Sequence, residues 1–292
     1  MSEANMLNQV TDRVGDLPAM PGIVAEVLKL TQDPATAISQ LSEVIEKDPG
    51  LTAKILRVSN SPYFGMRQYV GTLKLALVIL GVREVRNIVL GVAVFDAVQN
   101  ENTTRLLAKD YWRHSFLVAG LAKMIGSEMQ LGLQGEDFIS GLLHDIGKMV
   151  LMAKLGDPYA AVYKKGGGYG ERFYALEMQE LGFTHADAGA AIGTKWNFPE
   201  TLTDAIWVHH PCESRALANV KDPRLAAIVR VANAAARWDF EGGDADAFWE
   251  QADGEAWQYV EEACGIGDRV ARYETLANQV AELRELPVPT FE

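Results

Sequence analysis

The chain has 292 residues, 48% of them apolar, so it can bury a sizeable core and is not a disordered polymer. Its net charge of −12 argues against holding nucleic acid by bulk electrostatics, and its two cysteines exclude a disulfide-stapled secreted domain. That charge is uneven: thirteen acids face three bases in residues 241–292, which leaves only −2 on residues 1–240.

In chain order the pattern is helical almost throughout. Pro18 and Pro21-Gly22 make an opening turn, after which Ile23, Val27, Leu28 and Leu30 space like one helix face. Asp33-Pro34 breaks that helix, and Ile38, Leu41, Val44 and Ile45 mark the next. Asp48 before Pro49 fits an N-cap with proline at the first helical position, opening a helix through Leu51, Ile55, Leu56 and Val58 that stops at Asn60-Ser61-Pro62. Thr72 can cap Leu73 to Leu80, Gly81 ends that turn set, and Val82 to Val98 form a longer apolar helix. Residues 103–131 read as one long helix, and a helix beginning near Gln134 is expected to run through Phe138, Leu142 and Ile146 to Val150. Further helices are expected at about 171–181, 184–195, 199–209 and 223–238, with Gly242-Gly243 as a hinge candidate and a helical acidic end up to Pro287. No strand-rich stretch appears, so the expected fold class is all-α, a multi-helix bundle.

Gly166-Gly167-Gly168-Tyr169-Gly170 lacks the Gly-Lys-Ser/Thr ending of a phosphate-cradling loop and reads as a flexible connector. Cys212 and Cys264 lie in no metal-ligand spacing and read as reduced bystanders. Met1 to Asp12 has no basic region followed by an apolar run. The apolar stretches Leu75–Val82 and Ile88–Val98, separated by Arg83, Glu84 and Arg86, fall short of the ~18 residues that span a bilayer. The expectation is a cytoplasmic protein with no membrane partner.

The five histidines carry the chemistry. They are His114, His144, His185, His209 and His210, none of them in residues 1–113 or 211–292. His144 is followed by Asp145 in Gly141-Leu142-Leu143-His144-Asp145-Ile146-Gly147-Lys148. Neutral imidazoles and a carboxylate suit a divalent transition metal such as iron, manganese or zinc, and two such ions can clamp both oxygens of a phosphoryl displacement. A helical bundle can bring such residues from separate helices to one point.

The run from Gly141 to Lys148 resembles the signature of the HD superfamily of metal-dependent phosphohydrolases. The wider chain resembles, more narrowly, the HDOD domain, an HD-related output domain of bacterial signalling proteins. The resemblance is carried by Leu17-Pro18-Ala19-Met20-Pro21, by Asp48-Pro49-Gly50 leading to Ser59-Asn60-Ser61-Pro62-Tyr63-Phe64, by Leu80-Gly81-Val82-Arg83-Glu84, and by Trp112-Arg113-His114-Ser115. It continues through Leu181-Gly182-Phe183-Thr184-His185, Trp196-Asn197-Phe198-Pro199 and His209-His210-Pro211. It covers roughly residues 15–240.

The resemblance implies that residues 1–104 form an N-terminal helical part packed on an HD-like part at 105–240, with 241–292 as an acidic helical segment. It implies a first metal site of His114, His144, Asp145 and a residue at position 233, and a second supported by His185 with His209 or His210. Lys148 would hold a phosphate oxygen. Position 233 is Asn where the superfamily places Asp, which removes one negative charge from the ligand set. The Gly-Tyr-Pro triplet of the superfamily's cyclic-dinucleotide phosphodiesterases is also missing after His209-His210. The expected function is therefore a stand-alone signalling module that binds a partner protein, with a degenerate metal pocket. The alternative is a phosphohydrolase acting on a nucleotide or cyclic dinucleotide. The acidic segment is expected to be a solvated face or a surface for a basic partner.

Overall fold

A computed structural model of the chain describes all residues except 1–9, 13, 34–35, 99–103, 213–214, 252, 265–267 and 290–292. The described residues form α-helices and short 3-10 turns, with no strand. The N-terminal part contains α1 (Gly22–Gln32), α2 (Ile38–Ile45), α3 (Pro49–Ser59), α4 (Leu73–Ile79) and α5 (Val82–Val98). The caps read from sequence are in place. The Asp48 side chain accepts from the Leu51 amide and Thr72 accepts from the Leu75 amide, so each occupies one of the orphan donors at a helix start.

The histidine-bearing part follows as α6 (Thr104–Glu128), α7 (Glu136–Leu143), α8 (Ile146–Leu155), α9 (Asp157–Gly166), α10 (Gly170–Leu181), α11 (His185–Lys195), α12 (Glu200–Val208) and α13 (Pro223–Arg237). Helix α6 packs on α7 and α13, and α11 packs on α8 and α12. The N-terminal part is joined to this body through α5, which lies on α7 and α8. Its opening turn is pinned as well, because Lys195 donates to Leu17 O at 2.7 Å and the Trp196 indole donates to Pro18 O at 2.9 Å. One apolar cluster runs through both parts, including Leu77, Val89, Phe116, Ile139 and Ile206. The chain thus has the all-α architecture that the pattern predicted.

Two expectations require correction. The helix expected to run unbroken to Val150 is two helices, α7 and α8, which meet at His144-Asp145. The His144 ring nitrogen Nδ1 lies 2.7 Å from Gly141 O and takes up that carbonyl, while Asp145 leaves the helical conformation at φ −97°, ψ 8°. The glycine run is not merely a connector: α9 continues to Gly166, α10 begins at Gly170, and between them Tyr169 reaches the histidine cluster.

The acidic end forms α14 (Ala245–Gln251), α15 (Gly254–Cys264) and α16 (Arg269–Arg284), which pack back onto the body, α15 on α13 and α16 on α6. Phe248, Trp257, Leu276, Val280 and Leu283 are buried there. The Gly242-Gly243 turn is fastened, since the Tyr273 hydroxyl donates to Gly243 O at 3.0 Å and the Gly243 amide to Asp239 O at 2.9 Å. No helix of the described residues is long and apolar enough to cross a membrane.

Candidate metal centre

Local packing decides where the histidines point. A Cβ on Gly147 would stand 1.7 Å from His185 O and 2.7 Å from the Gly189 amide, so α8 and α11 cross with no room for a side chain. Glycine at this position is therefore what lets Asp145, at the head of α8, meet His185 at the head of α11. A Cβ on Gly141 would likewise meet the Ala119 backbone at 2.7 Å, which sets α7, and with it His144, against α6, which carries His114.

The result is one cluster. Asp145, His185, His209 and His210 each offer a ligand atom within 4.8 Å of one another, and so do His114, His144 and Asp145. Asp145 belongs to both groups. Its Oδ1 lies 3.2 Å from both His185 Nε2 and His209 Nε2, and its Oδ2 lies 3.3 Å from His144 Nε2 and 3.8 Å from His114 Nε2. All five predicted histidines and Asp145 are thus brought together. Lys148 and Asn233 are there too: the Lys148 ammonium donates to Asp145 Oδ2 at 2.6 Å, and Asn233 Oδ1 is 3.1 Å from His114 Nε2.

The hydrogen bonds fix which nitrogens are free. A carbonyl oxygen can only accept, so an imidazole nitrogen facing one must carry the proton. His144 Nδ1 faces Gly141 O at 2.7 Å and His209 Nδ1 faces Ile206 O at 2.6 Å, while His185 Nδ1 donates to the buried Glu177 carboxylate. Each of these three rings therefore presents its Nε2 inward. His185 Nε2 lies 3.1 Å from His209 Nε2 and 3.2 Å from His210 Nε2, and His144 Nε2, Asp145 Oδ1 and His210 Nδ1 have no hydrogen-bond partner among the described residues. The inward lone pairs of His144 and His209 face the Asp145 carboxylate in a water-excluded site, and a cation among them turns that repulsion into attraction. The donor set, imidazole nitrogens with one carboxylate, fits a divalent transition metal. Rings that donate their outer N–H to a carbonyl or carboxylate match the usual support of a metal-binding histidine.

Proton affinities follow from burial and neighbours. Burial, with His144 adding to it, pushes His114 down, and burial pushes His209 down to about 3 and His210 down as well. His185 is the exception: burial is the largest influence and opposes its charge, but the attraction of Glu177 together with hydrogen bonds to Asp145 and Glu177 raises it. Asp145 is held well below the usual carboxylate range, because Lys148 and His144 outweigh its burial. The pocket thus keeps its carboxylate ionised and most of its imidazoles neutral, the protonation state a metal requires.

Several supporting residues were not legible in the sequence. Glu177 on α10 accepts from the His185 amide at 3.0 Å and from the Tyr159 hydroxyl at 2.5 Å. Asp187 closes a capping box with Thr184 at the start of α11 and accepts from Arg215 at 2.7 Å. Arg230 donates to Val208 O, next to His209, and to Arg215 O, and it pairs with Asp253 at 2.6 Å and Glu255 at 3.2 Å. Two of the acidic segment's carboxylates are therefore counter-charges of a buried arginine. The one readable hint among these was the Thr184-x-x-Asp187 spacing of a capping box.

An all-α body with a buried His/Asp cluster at a helix break defines an HD-type phosphohydrolase-like fold. The HDOD domain model matches residues 17–212, and the chain belongs to that family. An HDOD domain structure of unknown function from Geobacter sulfurreducens is 22% identical, with 97% of this chain and 96% of that one aligned at a TM-score of 0.73. A structure from Shewanella amazonensis SB2B, provisionally named a phosphohydrolase, is 27% identical over 95% of this chain and 97% of its own, at a TM-score of 0.67. Among curated proteins, an uncharacterised protein of Treponema pallidum (strain Nichols) is 26% identical over 204 residues, 69% of this chain. The aligned part spans only 39% of that relative's length.

Proposed function

We propose that the chain is an HDOD signalling module whose histidine–aspartate pocket holds a divalent transition metal, and that it works by engaging a partner protein rather than by turnover. The inward-facing Nε2 atoms of His144, His185 and His209 around Asp145 carry the metal reading. His185, His209, His210 and Asp145 would hold one ion, with iron, manganese or zinc as the fitting metals. When bound, such an ion supplies a Lewis acid and an acidified water. Asn233 carries the argument against efficient turnover: where a carboxylate is expected, its neutral amide engages His114 Nε2, so the group of His114, His144 and Asp145 lacks one anionic ligand. The partner reading rests on the family, whose members resemble signalling output domains.

Phosphohydrolysis is the second reading. It is favoured by Lys148 beside Asp145 and by the provisional name of the Shewanella relative. Two measurements decide between the readings. Metal titration should show tighter manganese or zinc binding in Asn233→Asp than in the natural chain, and unchanged affinity would remove Asn233 from the ligand set. Hydrolysis of bis(p-nitrophenyl) phosphate by the metal-loaded natural chain, abolished in Asp145→Ala, would replace the module reading with the enzyme.

A further inference from the structure

Beside the histidine cluster lies a cleft of about 480 Å³, lined by Asp110, Arg113, His114, Tyr169, Arg237 and Arg284 together with Leu117 and Ala236. Three arginines on one small cleft repel one another unless an anion sits between them. Asp110 is the one carboxylate of the lining, and among the described residues no carboxylate lies within 4.0 Å of the Arg113, Arg237 or Arg284 guanidinium; the charges that attract Arg237, Asp145 and Glu171, stand outside the cleft. Arg284 is held in position, its Nη2 lying 3.4 Å from Ala236 O and 3.3 Å from Trp238 O, at the end of α13 beside Arg237. The floor of the cleft is His114, the partly exposed member of the histidine set, with Tyr169 packed on its ring at 4.9 Å.

We propose that this cleft is a binding site for a small phosphate-bearing ligand, its phosphate held by Arg113, Arg237 and Arg284. Guanidinium groups present paired N–H donors that match phosphate oxygens, and a cleft of this size suits a small ligand. Two of the three arginines lie beyond residue 212, where the family match ends, and Arg284 comes from the acidic segment. The C-terminal helix therefore completes the site. It is held against α6 by Leu283, which packs on Gly120, and by the Arg272–Glu128 ion pair. A ligand bridging Arg113 on α6, Arg237 on α13 and Arg284 on α16 would tie that helix to the body. The cleft shares His114 with the metal-ligand group, but none of its arginines is a metal ligand, so the arginine substitutions test the phosphate site alone.

The test is calorimetric titration of the full chain with inorganic pyrophosphate at low ionic strength, in chelator-treated and metal-loaded protein. The expected result is saturable binding at one site, weakened at least tenfold in Arg113→Gln, Arg237→Gln and Arg284→Gln and unaffected in Arg224→Gln, an exposed arginine outside the cleft. Thermal melts of the same variants without ligand check that they fold. Absence of saturable binding in both preparations overturns the proposal. So does binding that the cleft substitutions leave unchanged, or that Arg224→Gln weakens equally. Metal content, measured separately on the same samples, judges the metal reading alone.

Discussion

Glu177 shows what the residue scale adds. Fully buried, it fixes the tautomer of His185 by accepting from Nδ1 and steadies the start of α11 by accepting from the His185 amide. Glu177→Gln keeps the size and an acceptor but removes the charge. It is expected to weaken metal binding by roughly tenfold or more while the far-UV circular dichroism stays native; equal affinity in a metal titration would refute this role. The histidines and Asp145 were legible because their identities and spacing form a motif. Glu177 was not, because eight residues and a helix boundary separate it from His185 and only the packing of α10 buries it. Asn233 became legible as a substituted ligand only through the family resemblance, and its contact with His114 gives that substitution a geometry.

Between elements, what decides the site is how closely helices cross. Gly147→Ala would set a methyl group 1.7 Å from His185 O, which forces α8 and α11 apart. A loss of about 1–3 kcal/mol in chemical denaturation is expected, with weakened metal binding; native stability would show that the crossing has slack. Hydrophobic periodicity identified the helices on both sides of His144-Asp145 but not the break, because apolar residues continue at helical spacing from Phe138 to Val150. The break comes from a side chain taking a backbone carbonyl, which periodicity does not encode. Capping residues were readable, because Asp48 and Thr72 act within four residues of chain.

A second element-scale prediction concerns the junction of α5 with α7. Glu84 and Asp137 are buried there, and burial raises both carboxyls, with Asp137 adding to the rise of Glu84 and Glu136 to that of Asp137. A carboxyl raised in the folded state stabilises that state below its unfolded value, and the contribution is lost as pH rises through the folded value. Glu84→Gln should therefore be more stable than the natural chain at pH 7, and the gain should disappear near pH 4. Urea denaturation at the two pH values measures it, and a loss at pH 7 would mean that the attraction of Lys123 dominates.

On the scale of the whole molecule, the acidic segment changes meaning. Composition presents it as a solvated face or a surface for a basic partner; packed, it supplies Asp253 and Glu255 to Arg230, Arg272 to Glu128 and Arg284 to the cleft. Its charge was legible but its docking was not, because the apolar residues that bury it are scattered singly among the acids. The N-terminal part is equally integrated, through α5 and the contacts of Leu17 and Pro18. Limited proteolysis should accordingly release no stable fragment of residues 1–100, and clean release would contradict a shared core.

The central claim is that the pocket around Asp145 is a metal site. Elemental analysis of the full chain, purified without chelator, tests it most directly when the natural chain is compared with Asp145→Asn and His185→Gln. Near-stoichiometric iron, manganese or zinc is expected in the natural chain and little in either variant. A metal-free natural chain that also fails to take up these ions on addition, or variants that retain them in full, would contradict it.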